Sequence, residues 1–143
     1  MNALVIAGHA AVTAWMTGVA WFVALVHYPL MADVGRDLFP QYEKRHQQRT
    51  TWLVAPLMTA EAGLAAWLLV WPPPGIPAWQ CALGAALAAA IWLSTFLVQV
   101  PLHARLEGGF DAALHRRLVV SHWWRTAGWT ARSLLALSWL AQR

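Results

Sequence analysis

No Asp, Glu, Lys or Arg occurs from Met1 to Ala32. From Thr50 to Ala104, Glu61 alone interrupts a second charge-free reach. Both reaches exceed the ~20 apolar residues that cross a bilayer as a helix. Hydrocarbon offers the backbone no hydrogen-bond partner, and continuous apolar runs satisfy themselves there as helices. Composition agrees: 59% of the chain is hydrophobic and 11% is charged, against ~25% charged in ordinary soluble domains. Eleven Trp residues suit the headgroup interface. These features describe an integral membrane protein.

Four spans are expected. The first runs from about Ala3 to Met31. It is longer than a signal-peptide core and has no Lys or Arg before it, so it is expected to persist as a helix. The polar stretch Asp33–Arg49 comes next, broken at Pro40, and Gln41–Gln48 can extend the next helix. The second span covers about Thr51 to Trp71. Pro72-Pro73-Pro74-Gly75-Ile76-Pro77 cannot continue a helix and makes a stiff connector. The third span covers about Ala78 to Leu102, and Glu107-Gly108-Gly109 ends the segment beyond it. The fourth covers about Leu118 to Leu140, entered from a helical Asp111–Arg117. Short connections make the expected fold all-α, a four-transmembrane-helix up-down bundle in one domain over residues 1–143. No internal repeat is apparent. The Ala-rich run Cys81–Ala90 with Gly84 suits close helix packing.

Charge sets the expected orientation. Loop one carries Arg36, Lys44, Arg45 and Arg49, and loop three carries Arg105, Arg116 and Arg117. The proline connector carries none and the tail carries Arg143. The positive-inside rule then places loops one and three in the cytoplasm and both termini outside, as in a bacterial-type inner membrane. The net charge of +4 fits anionic headgroups rather than nucleic acid. The single Cys81 excludes an intramolecular disulfide and a cysteine-rich metal site.

The polar residues inside the spans point to a site. His122, Arg125, Trp129 and Arg132 succeed one another at steps of three, four and three, which share a helical face. A central Arg is disfavoured by about 2.5–3.5 kcal/mol on insertion scales, so the stripe is expected to face inward. At ~1.5 Å per residue, His27, Gln99, His103 and His122 lie within about 10 Å of the basic loops. Counted from Thr51, Glu61 lies about 15 Å deep, with Arg125 its expected partner. Arg132 is deeper, lining the far end of the same cavity or snorkelling outward. His27, Glu61, His103 and His122 on four helices are candidate ligands for Fe, Cu or Zn, and paired histidines could hold a haem. The Glu-x-x-His spacing of two-metal bundles is absent. Trp92 and Trp129, both mid-span, could stack on a flat substrate beside Gln99. His46 and His103 could equally sit at headgroup level, His9 at the outer interface and His115 in solvent. Met16, Met31 and Met58 read as packing residues.

Two segments carry a resemblance. Val100-Pro101-Leu102-His103-Ala104-Arg105-Leu106 ends the third helix, and His122-Trp123-Trp124-Arg125-Thr126 lies in the fourth. The pairing resembles the anthrone-oxygenase-like family of small four-helix membrane proteins. That family has Val-Pro-Leu-Asn and Asn-x-x-Arg-Thr at these places, so His103 and His122 depart from its pattern. The resemblance implies oxidation of polyketide or phenolic substrates with dioxygen.

The expectation is a membrane-embedded, oxygenase-like oxidoreductase for a lipophilic aromatic or quinone-like substrate. Glu61, His27, His103 and His122 would move protons or bind metal, and Arg125 would hold negative charge. Gln99, Trp92, Trp129 and Arg132 would contact substrate. Two alternatives stand beside it: a small, oligomeric, proton-coupled carrier or binding protein, and an accessory subunit whose buried charges meet a partner's helices.

Overall fold

A computed structural model describes residues 2–142; Arg143, the charge on the tail, lies outside the described residues. The chain forms four antiparallel helices in up-down order, as the hydrophobic runs require. Helix α1 is regular over Asn2–Phe22, widens into a π-turn at Val23–His27 and closes with Tyr28–Met31. Helix α2 is Phe39–Val70. Helix α3 runs regularly over Ala78–Ser94, has its own π-turn at Thr95–Gln99 and ends with Val100–Leu106. Helix α4 is Ala112–Ala141. By length and apolar composition, three helices can cross a membrane, over Ala3–Met31, Phe39–Val70 and Ala78–Leu106. The fourth matches them in length and carries the polar stripe.

The helix boundaries have local causes. Pro40 opens the first turn of α2, where a missing N–H is harmless. Helix α2 therefore begins twelve residues before Thr51, and at 32 residues it is about 48 Å long, well beyond a ~30 Å hydrocarbon core. Asp111 caps α4 by accepting from the Ala113 and Leu114 amides at 2.8 and 2.9 Å. The turn into α4 uses Gly109 at φ +134°, a backbone angle that side chains rarely tolerate.

The two π-turns share a sequence context, a short repeated segment that corrects the expectation of no internal repeat. Leu25-Val26-His27-Tyr28-Pro29-Leu30 in α1 matches Leu97-Val98-Gln99-Val100-Pro101-Leu102 in α3. Pro29 and Pro101 donate no backbone hydrogen bond. In each, the residue before the proline bonds one residue further back than usual: Tyr28 N–H to the Val23 carbonyl and Val100 N–H to the Thr95 carbonyl. The extra residue per turn rotates the remainder of each helix about its axis, and it brings Tyr28 and His103 to face one another.

Apolar and polar layers alternate along the bundle. An apolar layer at the loop-one and loop-three end contains Tyr28, Met31, Phe39, Leu102, Leu106 and Leu118. A middle layer contains Met16, Ala20, Met58, Ile91 and Trp129. A layer at the terminal end contains Ile6, Leu68, Ile76, Cys81 and Trp139. The three methionines expected to pack do so. Large apolar side chains such as Phe22, Leu25, Leu93 and Leu134 cover the outside, a surface suited to lipid rather than water.

Between the middle and terminal layers lies a buried polar cluster that joins all four helices. The Arg132 guanidinium pairs with the Glu61 carboxylate and donates to the Gly84 carbonyl. It also donates to His9 Nε2 at 3.1 Å, and the His9 ring stacks on Trp139 at 5.5 Å. This arrangement corrects three expectations. Glu61 pairs with Arg132, not Arg125. Arg132 does not snorkel, being 1% exposed. His9 is buried, not interfacial. The reason is the early start of α2: Glu61 lies about 14 Å from the Val70 end and about 33 Å from Phe39.

Breaking a buried pair strands a charge and typically destabilises by about 3–5 kcal/mol, whereas removing both members is often neutral. Glu61→Ala is therefore expected to lower the thermal midpoint in detergent sharply. The double change Glu61→Met with Arg132→Met should recover most of the loss, as circular-dichroism melts would report.

Candidate functional site

The second polar layer lies between the middle apolar layer and the basic-loop end, and it surrounds a cavity of about 240 Å³. All four helices contribute. Met16, Ala20 and Tyr28 come from α1, and His46, Thr50 and Met58 from α2. Trp92, Gln99 and His103 come from α3, and His122, Arg125 and Trp129 from α4. Phe96 and Val100, which also line the cavity, are 57% and 49% exposed on the outside of the bundle. The cavity thus reaches the lipid-facing surface beside α3.

A hydrogen-bonded chain runs along one wall. His103 Nδ1 lies 2.6 Å from Glu43 Oε1, and His103 Nε2 lies 3.1 Å from the Tyr28 hydroxyl. A carboxylate accepts only, so Nδ1 carries the proton, and Nε2 is left to accept from Tyr28. Glu43 is fully buried and Tyr28 is 3% exposed. The order carboxylate, imidazole, hydroxyl is that of an activated hydroxyl whose imidazole is oriented by an acid. Gln47 Nε2 donates to Glu43 Oε1 at 3.2 Å and to the exposed Glu107 at 2.9 Å, tying the chain to loop three.

The opposite wall carries charge. Arg125 Nη1 lies 3.4 Å from His122 Nδ1, and His122 Nε2 lies 3.0 Å from the Ala20 carbonyl. A carbonyl accepts and a guanidinium donates, so this histidine holds its proton on Nε2. Arg125 has no carboxylate partner among the described residues, and its Nε lacks any protein partner. Gln99 Nε2 donates to Ser121 at 2.8 Å, while Gln99 Oε1 has no protein partner. The indole N–H groups of Trp92 and Trp129 are likewise without one. Buried polar groups are nearly always satisfied, so the orphans around this cavity call for partners such as ordered water or a polar ligand.

The expected residues therefore divide. His103, His122, Arg125, Gln99, Trp92 and Trp129 all line this cavity. Glu61 and Arg132 belong to the other polar layer. His27 stacks on His46 with ring centroids 4.3 Å apart and is not part of the lining. His46 is held by that stack, and Thr50 bonds its Nδ1 at 3.1 Å. His115 is anchored to the Tyr28 carbonyl at 2.9 Å rather than solvated. Sequence patterns do not single out Tyr28 or Glu43. Glu43 lies in a stretch that reads as a polar loop, and Tyr28 reads as a helix-end neighbour of Pro29. The repeated Leu-Val-x-x-Pro-Leu segment is the available signal for Tyr28.

The expectation of Fe, Cu, Zn or haem bound by His27, Glu61, His103 and His122 is overturned. Among the described residues, no three His, Cys, Asp or Glu side chains are grouped to hold a metal ion. Glu61 is a layer away. Both ring nitrogens of His103 and of His122 are engaged by protein atoms. His27 meets His46 face to face, at an interplanar angle of 22°, which does not converge their nitrogens on one point.

Comparison with known protein families, curated proteins and solved structures finds no match.

A short N–H···O⁻ contact moves the shared proton far downfield in NMR spectra. Detergent-solubilised protein with labelled histidine is expected to show one such Nδ1–H signal, from His103. Glu43→Gln should abolish it and His27→Gln should leave it in place.

Proposed function

We propose that this protein is a membrane-embedded oxidoreductase of oxygenase type that binds a lipophilic phenolic or quinol-like aromatic compound. The observation that carries the reading is Arg125, a cation without a carboxylate partner among the described residues, set in an apolar cavity that also holds the Glu43–His103–Tyr28 chain. A guanidinium so placed favours a ligand that carries or develops negative charge. A phenol becomes such a ligand when it loses a proton.

The chain supplies a route for that proton. The substrate hydroxyl gives its proton to the Tyr28 oxygen as the Tyr28 proton passes to His103 Nε2. The Glu43 carboxylate holds the resulting imidazolium in place, as an acid does for a histidine base. Tyr28 and His103 are the proposed catalytic residues, and Glu43 is a positioning residue. Arg125 stabilises the phenolate, and the indoles of Trp92 and Trp129 flank the ring. An electron-rich phenolate is the form that dioxygen oxidises most readily, and the substrate itself supplies the electrons. The opening beside Phe96 and Val100 suits a substrate dissolved in the bilayer.

Two further observations support this reading. Within the segments that resemble the anthrone-oxygenase-like family, Arg125 matches the family's pattern and lies on the cavity wall, while His103 and His122, also on that wall, stand where the pattern has Asn. The basic loops lie at the cavity's end of the bundle, so the positive-inside rule would put the site in the cytoplasmic half of an inner membrane.

The test is dioxygen uptake by the purified protein in lipid, with hydroxyanthrones, naphthols and quinols as probes. Uptake is expected with at least one probe. General acid–base groups typically contribute about 10²–10⁴-fold, so Tyr28→Phe and His103→Gln should each lower the rate at least ~100-fold. Arg125→Gln should weaken binding of the phenolate product. No uptake with any probe, together with a proton-coupled flux in proteoliposomes, would replace this reading with that of a carrier.

A further inference from the structure

A second concavity of about 620 Å³ lies on the outside of the bundle between the loop-proximal ends of α3 and α4. It shares no lining residue with the inner cavity. Toward the middle of the bundle its walls are apolar: Leu97, Val98 and Pro101 on α3, and Val120 and Trp124 on α4. Leu97 and Val120 are 71% and 59% exposed, so the slot is open to the surroundings along its length. Toward the loops it is bounded by Arg105 in the last turn of α3 and by Arg116 and Arg117 near the start of α4.

The charge in this crevice has one sign. No acidic side chain lines it. Arg105, Arg116 and Arg117 form no salt bridge among the described residues. The two carboxylates of the intervening turn are occupied elsewhere, Asp111 on the α4 amides and Glu107 on Gln47. Trp124, 78% exposed, adds a broad apolar face to the α4 wall. The crevice thus has an apolar slot along the helices and a triple guanidinium at the helix ends. A water-soluble anion would match only the second part.

We propose that this crevice is a binding site for one anionic glycerophospholipid. Its phosphate lies against the three guanidinium groups and one acyl chain lies in the apolar slot. Arginine recognises phosphate oxygens through paired N–H groups, and basic clefts between membrane helices are suited to anionic headgroups. The site is independent of the oxidoreductase reading.

The experiment is native mass spectrometry of the full chain released from bilayers of equimolar phosphatidylglycerol and phosphatidylcholine. One retained phosphatidylglycerol per chain is expected, enriched at least about tenfold over phosphatidylcholine, a ratio equivalent to ~1.4 kcal/mol. The combined changes Arg105→Gln, Arg116→Gln and Arg117→Gln should abolish the enrichment. Val120→Trp, which fills the slot without altering charge, should lower retention by a similar factor. Neutralising Arg36, Lys44 and Arg45 in loop one should leave retention unchanged. Equal retention of the two lipids by the unmodified protein would overturn the proposal. So would an equal loss on neutralising loop one, which would indicate diffuse surface charge. Displacement of the lipid by millimolar inorganic phosphate would also overturn it, by showing that the arginines bind an anion without the slot.

Discussion

The pairing of Arg132 with Glu61 is the interaction on which the rest of the bundle depends. Either charge alone would be strongly disfavoured at this depth. Together they are neutral, and the spare donors of Arg132 reach the α3 backbone at Gly84 and the α1 side chain of His9. One side chain on α4 thereby touches a group on each of the other three helices. Lipid tails compete well with apolar side chains, so packing of Leu against Leu specifies little in a membrane. A polar cluster whose alternative is an unsatisfied charge sets register and rotation far more sharply. Gly84 contributes by exposing its carbonyl where α3 and α4 approach closely; Leu135 and Trp139 stand within 3.7 Å of where its Cβ would be.

The register set by that cluster also places the layer that surrounds the inner cavity. With α4 locked at Arg132, Arg125 lies two turns closer to the basic loops on the same stripe, and it enters the inner cavity with no carboxylate to neutralise it. The two arginines of one motif consequently do different things. The deeper one is held in a buried ion pair, and the shallower one has no carboxylate partner among the described residues. The prolines complete the arrangement. A π-turn precedes each of Pro29 and Pro101, and Tyr28 and His103 come within hydrogen-bonding distance from two separate helices. The polar first turns of the long α2 then bring Glu43 to the other side of the imidazole.

This organisation separates the buried ion pair from the cavity along the bundle axis. The terminal-end polar layer is dense, its ion pair closed off from solvent and lipid alike. Both polar layers keep unpartnered buried atoms, including His9 Nδ1 and Arg132 Nε, but those on Gln99, Trp92, Trp129 and Arg125 belong to residues that line a cavity.

The sequence by itself determined the membrane class, the four helices and their order, because charge-free runs and a proline connector leave a chain in lipid no other arrangement. It also marked His103, His122, Arg125, Gln99, Trp92 and Trp129, since polar groups on the inner faces of apolar helices must go somewhere specific. Only the tertiary structure decided which of these groups meet. The depth of Glu61 depended on where α2 begins, a matter of twelve residues of amphipathic helix that composition reads equally well as a loop. The contacts of Tyr28 and His103 depended on the extra residue in each π-turn, which shifts every later side chain around the axis. Periodicity assigns residues to a face of an ideal helix. It does not register a rotation introduced by a π-turn, nor the choice of one arginine over another, and those two facts separate the buried ion pair from the candidate site.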